Sequence, residues 1–137
     1  MLVVLALAVV TGCRRTPDET QIRAAITAIA TAAEAGSPRS VSTLLSDDFD
    51  GNSGELDQRT LVNLLRVAAL RGERIGVTTG PIGIEHRGAR MVASFTVTLS
   101  SRSRVLPDHV GLYQVVSAWR KVDGEWRCYS ATWEHTL

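Results

Sequence analysis

A chain of 137 residues with 45% hydrophobic and 21% charged side chains has the size and composition of one globular domain. A domain of that length buries roughly 68% of the surface its unfolded chain exposes, so neither a disulfide framework nor a structural metal is required to hold it. The 15 basic and 14 acidic residues leave a formal charge of +1, which excludes the basic field that nucleic-acid binding draws on.

The first predicted element is an unbroken apolar run of nine residues, Leu2 to Val10. That is the length of the hydrophobic region of an export signal and well short of the ~20 residues that span a bilayer. Val10-Thr11-Gly12-Cys13 follows at once, an aliphatic residue, two small ones and a cysteine. This arrangement resembles the lipobox of bacterial lipoproteins. Small residues at the scissile bond let an extended backbone enter a peptidase cleft, and only a thiol can accept a diacylglyceryl group as a thioether. The resemblance implies that residues 1–12 are a signal peptide, that Cys13 is the lipidated, palmitate-bearing N-terminus of the mature chain, and that residues 13–16 are a short tether. It also implies a sorting rule read at the next position. Arg14 stands there instead of the aspartate that favours the inner membrane, so the expected location is the cell envelope, on the periplasmic face of the outer membrane in a Gram-negative cell. With Cys13 consumed, Cys128 has no disulfide partner and reads as a small buried hydrophobe.

In Thr16-Pro17-Asp18-Glu19 the spacing predicts a capping box with proline at the first helical position. Ile22, Ala25, Ile26, Ile29 and Ala33 then recur at helical steps until Gly36. Ser37-Pro38 opens a shorter helix carrying Val41, Leu44 and Leu45, expected to stop at Ser46-Asp47-Asp48, and Phe49 to Gly54 reads as turn. A third helix is expected from Asp57 as N-cap, through Leu61, Leu64, Leu65 and Ala68, to Gly72. Beyond it the period drops to two. Ala89, Met91, Ala93, Phe95, Val97 and Leu99 alternate with polar residues in a half-buried strand, preceded by Ile75 and Val77 on one parity and Ile82 and Ile84 on the other. A bulge at Gly80-Pro81 would return those two pairs to one face. Val110 to Val122 and Trp126 to Trp133 are two further strands, joined by the hairpin signal Asp123-Gly124.

Helices first and a strand meander second predict an α+β fold with helices on one face of a twisted sheet. The three-helix opening, the Asp48-Phe49 pair and the segment Trp119-Arg120-Lys121-Val122-Asp123-Gly124-Glu125-Trp126-Arg127 resemble the nuclear transport factor 2-like superfamily, which includes SnoaL-like polyketide cyclases, ketosteroid isomerases and scytalone dehydratases. The resemblance, taken over residues 17–137, implies a cystatin-like cone in which three N-terminal helices pack on a curved antiparallel sheet around a ligand pocket. It does not imply a reaction.

An isomerase or cyclase of this kind needs a base in the cone and a neutral donor for the developing oxyanion. The candidate catalytic residues are Asp50, His86, His109 and Tyr113, with Asp48 and Glu134 as further acids. Each also has a structural explanation. Asp48 and Asp50 shape a turn, His86 precedes Arg87-Gly88 as a hairpin residue, His109 lies in a polar loop with Arg102 and Arg104, and Glu134 with His135 sits at the chain end. The isomerase pattern places a tyrosine on the first helix, where this chain has Ile22, Ile26 and Ile29. The three histidines have no ligand spacing, so neither a metal nor another cofactor is expected. Candidate ligand-binding residues are Tyr113, Trp119, Tyr129 and Trp133.

The expected function is that of a membrane-tethered envelope lipoprotein with a non-catalytic pocket or sheet surface for a small apolar ligand or a protein partner. A SnoaL-like isomerase, cyclase or dehydratase using a pocket Asp or His is the alternative. Both faces of the strand Val110 to Val122 are apolar, which fits a homodimer through the sheet.

Overall fold

A computed structural model of the chain describes residues 17–101 and 111–136. Its elements in chain order are α1 (Asp18–Glu34), α2 (Pro38–Ser42), β1 (Leu45–Gly51), β2 (Leu56–Asp57), α3 (Gln58–Leu70), β3 (Ile75–Thr79), β4 (Gly83–Arg87), β5 (Arg90–Ser101), β6 (Gly111–Val122) and β7 (Glu125–His135). The strands form one sheet in the order β2-β1-β7-β6-β5-β3, with β4 also paired to β5.

The long strands follow the alternation read from the sequence. Directly opposed residues share a face, so Phe95 with Val115 and Met91 with Trp119 put the odd positions of β5 and β6 inward. The hairpin between β6 and β7 turns through Asp123 and Gly124, both at positive φ (52° and 81°), the geometry of the two-residue turn that suits twisted strands. Along β5 the pairing slips by one residue between Val77↔Leu99 and Ile84↔Ala93. Because the slip occurs around Gly80-Pro81, Val77 and Ile84 both end on the inner face, as the parity change required.

Three local expectations are corrected. Leu45 to Asp48 is not a helix end, nor is Phe49 to Gly51 a turn, because the whole segment is strand β1, parallel to β7. Without β1 the β7 edge would leave a row of backbone groups unpaired, and bonds such as Asn52 N–H to Ala131 carbonyl at 2.9 Å show that pairing outweighing the local helical spacing. The sheet is therefore mixed, not wholly antiparallel. At the start of α1, Pro17 occupies the N-cap position without a side-chain cap bond, Thr16 of the expected capping box lies outside the described residues, and Glu19 has a distant partner. Its Oε1 lies 2.7 Å from His86 Nε2, which stands in β4 and not in the hairpin turn. The third expected helix keeps its cap, since the Asp57 carboxylate accepts a bond from Thr60 N–H at 2.7 Å.

The core lies between α1 and the concave face of the sheet. Ile22, Met91, Ala93, Trp119 and Trp126 close-pack one end of the cone, around the first half of α1. The first turn is fastened there by the Trp126 indole N–H donating to the Asp18 carboxylate at 3.0 Å, with Lys121 3.3 Å from the same oxygen. The Trp126 hydrogen bond is the main cause that holds the Asp18 carboxyl below its ordinary range; burial opposes it, and Lys121 and then His86 add to the lowering. A folded-state pKa below the unfolded one gives stability that is complete above the ordinary carboxylate range and fades as pH falls through the depressed value. Asp18→Asn is accordingly expected to flatten the acid limb of stability against pH, and denaturant midpoints measured from neutral pH downward check it.

Candidate functional site

Toward the other end of the cone the packing opens. The second half of α1 presents Ile26, Ile29, Ala30 and Ala33 to the sheet, and the two small alanines leave space that the strands opposite do not fill. The result is a cavity of about 250 Å³. Its sheet wall comes from Phe95, Val97 and Leu99 of β5, Val115, Ser117 and Trp119 of β6, and Cys128, Ala131 and Trp133 of β7. Val41 of α2 and Leu45 and Phe49 of β1 flank it, and Leu61 of α3 with Val77 and Thr79 of β3 complete it.

Most of the polar groups in that wall are bonded within the protein. Ser117 Oγ donates to the Ala93 carbonyl at 2.9 Å and accepts from the Trp119 indole N–H at 2.9 Å. The Cys128 thiol is directed at the Ser130 carbonyl at 3.3 Å. Among the described residues no buried side-chain nitrogen or oxygen lacks a partner. A cavity walled this way offers mostly apolar contact, with the Thr79 hydroxyl the one side-chain group in it free to bond a ligand, and such sites favour apolar molecules.

Burial pushes the Cys128 thiol up to about 12, with weaker opposing effects from hydrogen bonds at Ser130 and Ala118. It is a thiol, not a thiolate, at neutral pH, and packs as the small buried hydrophobe expected from the sequence. Ellman's reagent is expected to leave Cys128 unmodified in the native protein and to titrate it fully in denaturant.

Two of the four candidate ligand-binding residues line the cavity. Trp119 is its most deeply buried wall residue, at 1% exposure, and is held by Ser117. Trp133 pairs with Val115 and lies over Gly51, where a Cβ would come within 2.7 Å of its ring. Its backbone N–H donates to the Asn52 side-chain oxygen at 2.8 Å. Only glycine at position 51 leaves room for that ring. Tyr113 faces the same side of the sheet opposite Val97 but lies beyond the wall, edge-on to His135 with ring centres 5.0 Å apart. Tyr129 is the extra residue of a bulge, since Ala118 pairs with Ser130 and Trp119 with Cys128. It lies outside the cavity wall with the Arg120 and Arg90 guanidinium groups 5.1 and 5.5 Å from its ring centre.

The candidate acids and bases stand outside the cavity. Asp50 is exposed and accepts a bond from Gly54 N–H at 2.7 Å, which shapes the turn after β1. Asp48 is exposed and pairs with Arg120 at 2.6 Å; that hydrogen bond, followed by one from Ser46, holds its carboxyl below the ordinary range. His86 is on the outer surface with Glu19, and Glu134 is exposed on β7. His109, Arg102, Arg104 and Cys13 lie outside the described residues. Among the described residues no three His, Cys, Asp or Glu side chains gather as a metal site would require.

Sequence reasoning missed Ser117 and Gly51. The odd parity of Ser117, shared with Val115 and Trp119, was the available signal that it points inward. Gly51 carried none, because the ring it accommodates is eighty residues away in sequence.

The sequence matches no protein-family model and no curated protein. Solved structures match it over most of its length. A candidate scytalone dehydratase from Novosphingobium aromaticivorans aligns with a TM-score of 0.76 at 16% identity, covering 87% of this chain and 84% of that one. A nuclear transport factor 2-like protein from Cytophaga hutchinsonii gives 0.74 at 17% identity, covering 88% of this chain and 100% of its own. A nuclear transport factor 2-like protein with a cystatin-like fold, also from Novosphingobium aromaticivorans, gives 0.71 at 16% identity over 85% and 80%. The fold is the cystatin-like, nuclear transport factor 2-like fold. At such identities the likeness carries the fold and no activity.

Proposed function

We propose that this chain is a lipid-anchored envelope protein whose cone binds a small apolar molecule and performs no chemistry on it. The observation that carries the reading is the cavity wall. A base and a proton donor are the minimum for isomerisation or dehydration, and among the described residues the wall holds no carboxylate, imidazole or phenol. A cavity of 250 Å³ compares with the 150 Å³ or so that admits benzene, so the ligand has about ten non-hydrogen atoms.

The anchor is supported by the residues around Cys13, and Arg14 beside it supports the outer membrane over the inner one. No described helix is long and apolar enough to cross a membrane. The outer face of the sheet, where Ser94, Thr96, Val116 and Ala118 are uncharged and Val116 is 41% exposed, supports pairing with a second copy.

Native mass spectrometry of the protein purified from its own envelope tests the pocket. We expect a non-covalent adduct of a small apolar molecule, released on denaturation, together with the mass of acyl chains on Cys13. A protein whose cavity stays empty at every apolar compound offered would refute the binding role, and an unacylated Cys13 would refute the anchor.

A further inference from the structure

Helix α3 is the one long element that buries nothing completely. None of its residues is buried. Leu61 and Leu65 turn partly onto the core, while Leu64, Val67 and Leu70 stand 57%, 45% and 82% exposed. At about 100° per residue those three form one stripe on the outer side of the helix, bordered by Arg59 and Arg66. Arg71 follows at the C-cap. Between Asp57 at the N-cap and Glu73 beyond the helix no Asp or Glu occurs, and all three arginines are exposed.

We infer that this face of α3 docks on an anionic phospholipid surface, its leucines entering the headgroup boundary and its arginines meeting lipid phosphates. The inference rests on the lipid-anchored reading given above. A helix with basic residues beside an exposed aliphatic stripe and no acids has the composition that lies in a membrane interface. A second copy is the poorer occupant, because a two-fold contact centred on the stripe sets Arg66 beside its own copy with no acid in the middle of either helix. The tether adds a constraint. Cys13 stands four residues before Pro17, so at about 3.5 Å per residue the start of α1 lies within about 14 Å of the bilayer. Some flank of the domain must then face the lipid, and α3 is the one whose side chains suit it. Docking would also bring Leu61, the cavity-lining residue of α3, toward the hydrocarbon from which an apolar ligand partitions.

The test uses the acylated full-length protein in vesicles. Cys128 is buried and Cys13 is occupied by lipid, so a single introduced cysteine takes the label. Leu70→Cys, and independently Leu64→Cys, carry an environment-sensitive fluorophore, with Thr31→Cys on the exposed side of α1 as the control. With phosphatidylglycerol mixed into phosphatidylcholine, a blue shift and severalfold greater quenching by nitroxide-labelled lipid are expected at positions 64 and 70. The control is expected to show neither. Combining Arg59→Gln, Arg66→Gln and Arg71→Gln is expected to remove most of the gain, as is pure phosphatidylcholine. Labels that stay water-exposed while the protein floats with the vesicles would overturn the docking and leave the anchor standing. Shielding that grows with protein concentration in detergent would overturn it in favour of a second copy. Protein that fails to float with the vesicles would remove both the docking and the anchor.

Discussion

Replacing Trp119 with alanine is expected to lower the thermal midpoint by about 10–18 °C. Trp119 is almost wholly buried, shares the core with Met91, Phe95 and Cys128, and forms part of the cavity wall. Truncating a buried tryptophan costs about 3–5 kcal/mol, from lost transfer energy and an enlarged void. In a domain of this length each kcal/mol moves the midpoint by about 3–4 °C. That loss is a large share of the 5–15 kcal/mol or so that ordinarily holds a domain folded. Calorimetry of the variant checks it. The hydrogen bonds separate from the packing through a second pair of substitutions. Ser117→Ala alone strands the Trp119 N–H in an apolar wall, a loss of about 1–3 kcal/mol. Trp119→Phe made on top of Ser117→Ala is expected to cost less than the same change in the intact protein, because the stranded donor leaves with the indole. A double-mutant cycle that found the two changes additive would show that the Ser117–Trp119 bond carries no coupling energy.

Val97→Phe is expected to weaken binding of an apolar ligand about tenfold to fiftyfold while holding or raising stability. Val97 projects from β5 into the cavity between Phe95 and Leu99 and is only partly buried, so a ring at that position grows into empty space and not into packed neighbours. The added ring displaces about two or three methylene equivalents of ligand. At ~0.8 kcal/mol each, and 1.4 kcal/mol or so per factor of ten, that sets the expected range. Isothermal titration with the ligand identified by mass spectrometry measures the loss, and thermal denaturation without ligand measures the gain. The two readouts are expected to move in opposite directions, which a variant that merely perturbed the fold would not produce.

What the sequence revealed follows the range of the forces involved. β5 was legible because its alternation from Met91 to Leu99 reports a half-buried surface, and the β6–β7 hairpin because Asp123-Gly124 meets a backbone need within two residues. Asp57 was legible for the same local reason. β1 was not, because Leu45 and Phe49 sit four apart as on a helix and only the open edge of β7 makes them strand. The parallel pairing is irregular between Leu45 and Asp50, which erases the period-two signal that would have marked it. In the site, Trp119 and Trp133 were picked out as aromatic side chains on the final hairpin. Tyr113 shares the inward parity and yet misses the wall, and Tyr129 is displaced by a bulge that no residue type announces. The cavity arises from a mismatch between small residues on α1 and the strands opposite, a property of the packed pair and of neither segment alone.

Ligand-dependent stabilisation tests the central claim most directly. The full-length protein is heated with increasing concentrations of apolar molecules of about ten heavy atoms, beside polar analogues of the same shape. A molecule that enters the cavity stabilises the folded state by about 2.7 kcal/mol at a hundredfold excess over its dissociation constant, a midpoint shift of roughly 8–10 °C. That shift is expected for the apolar series, its absence for the polar one, and its loss in Val97→Phe. Equal midpoints with and without every apolar compound, or stabilisation by the polar analogues instead, would contradict that claim.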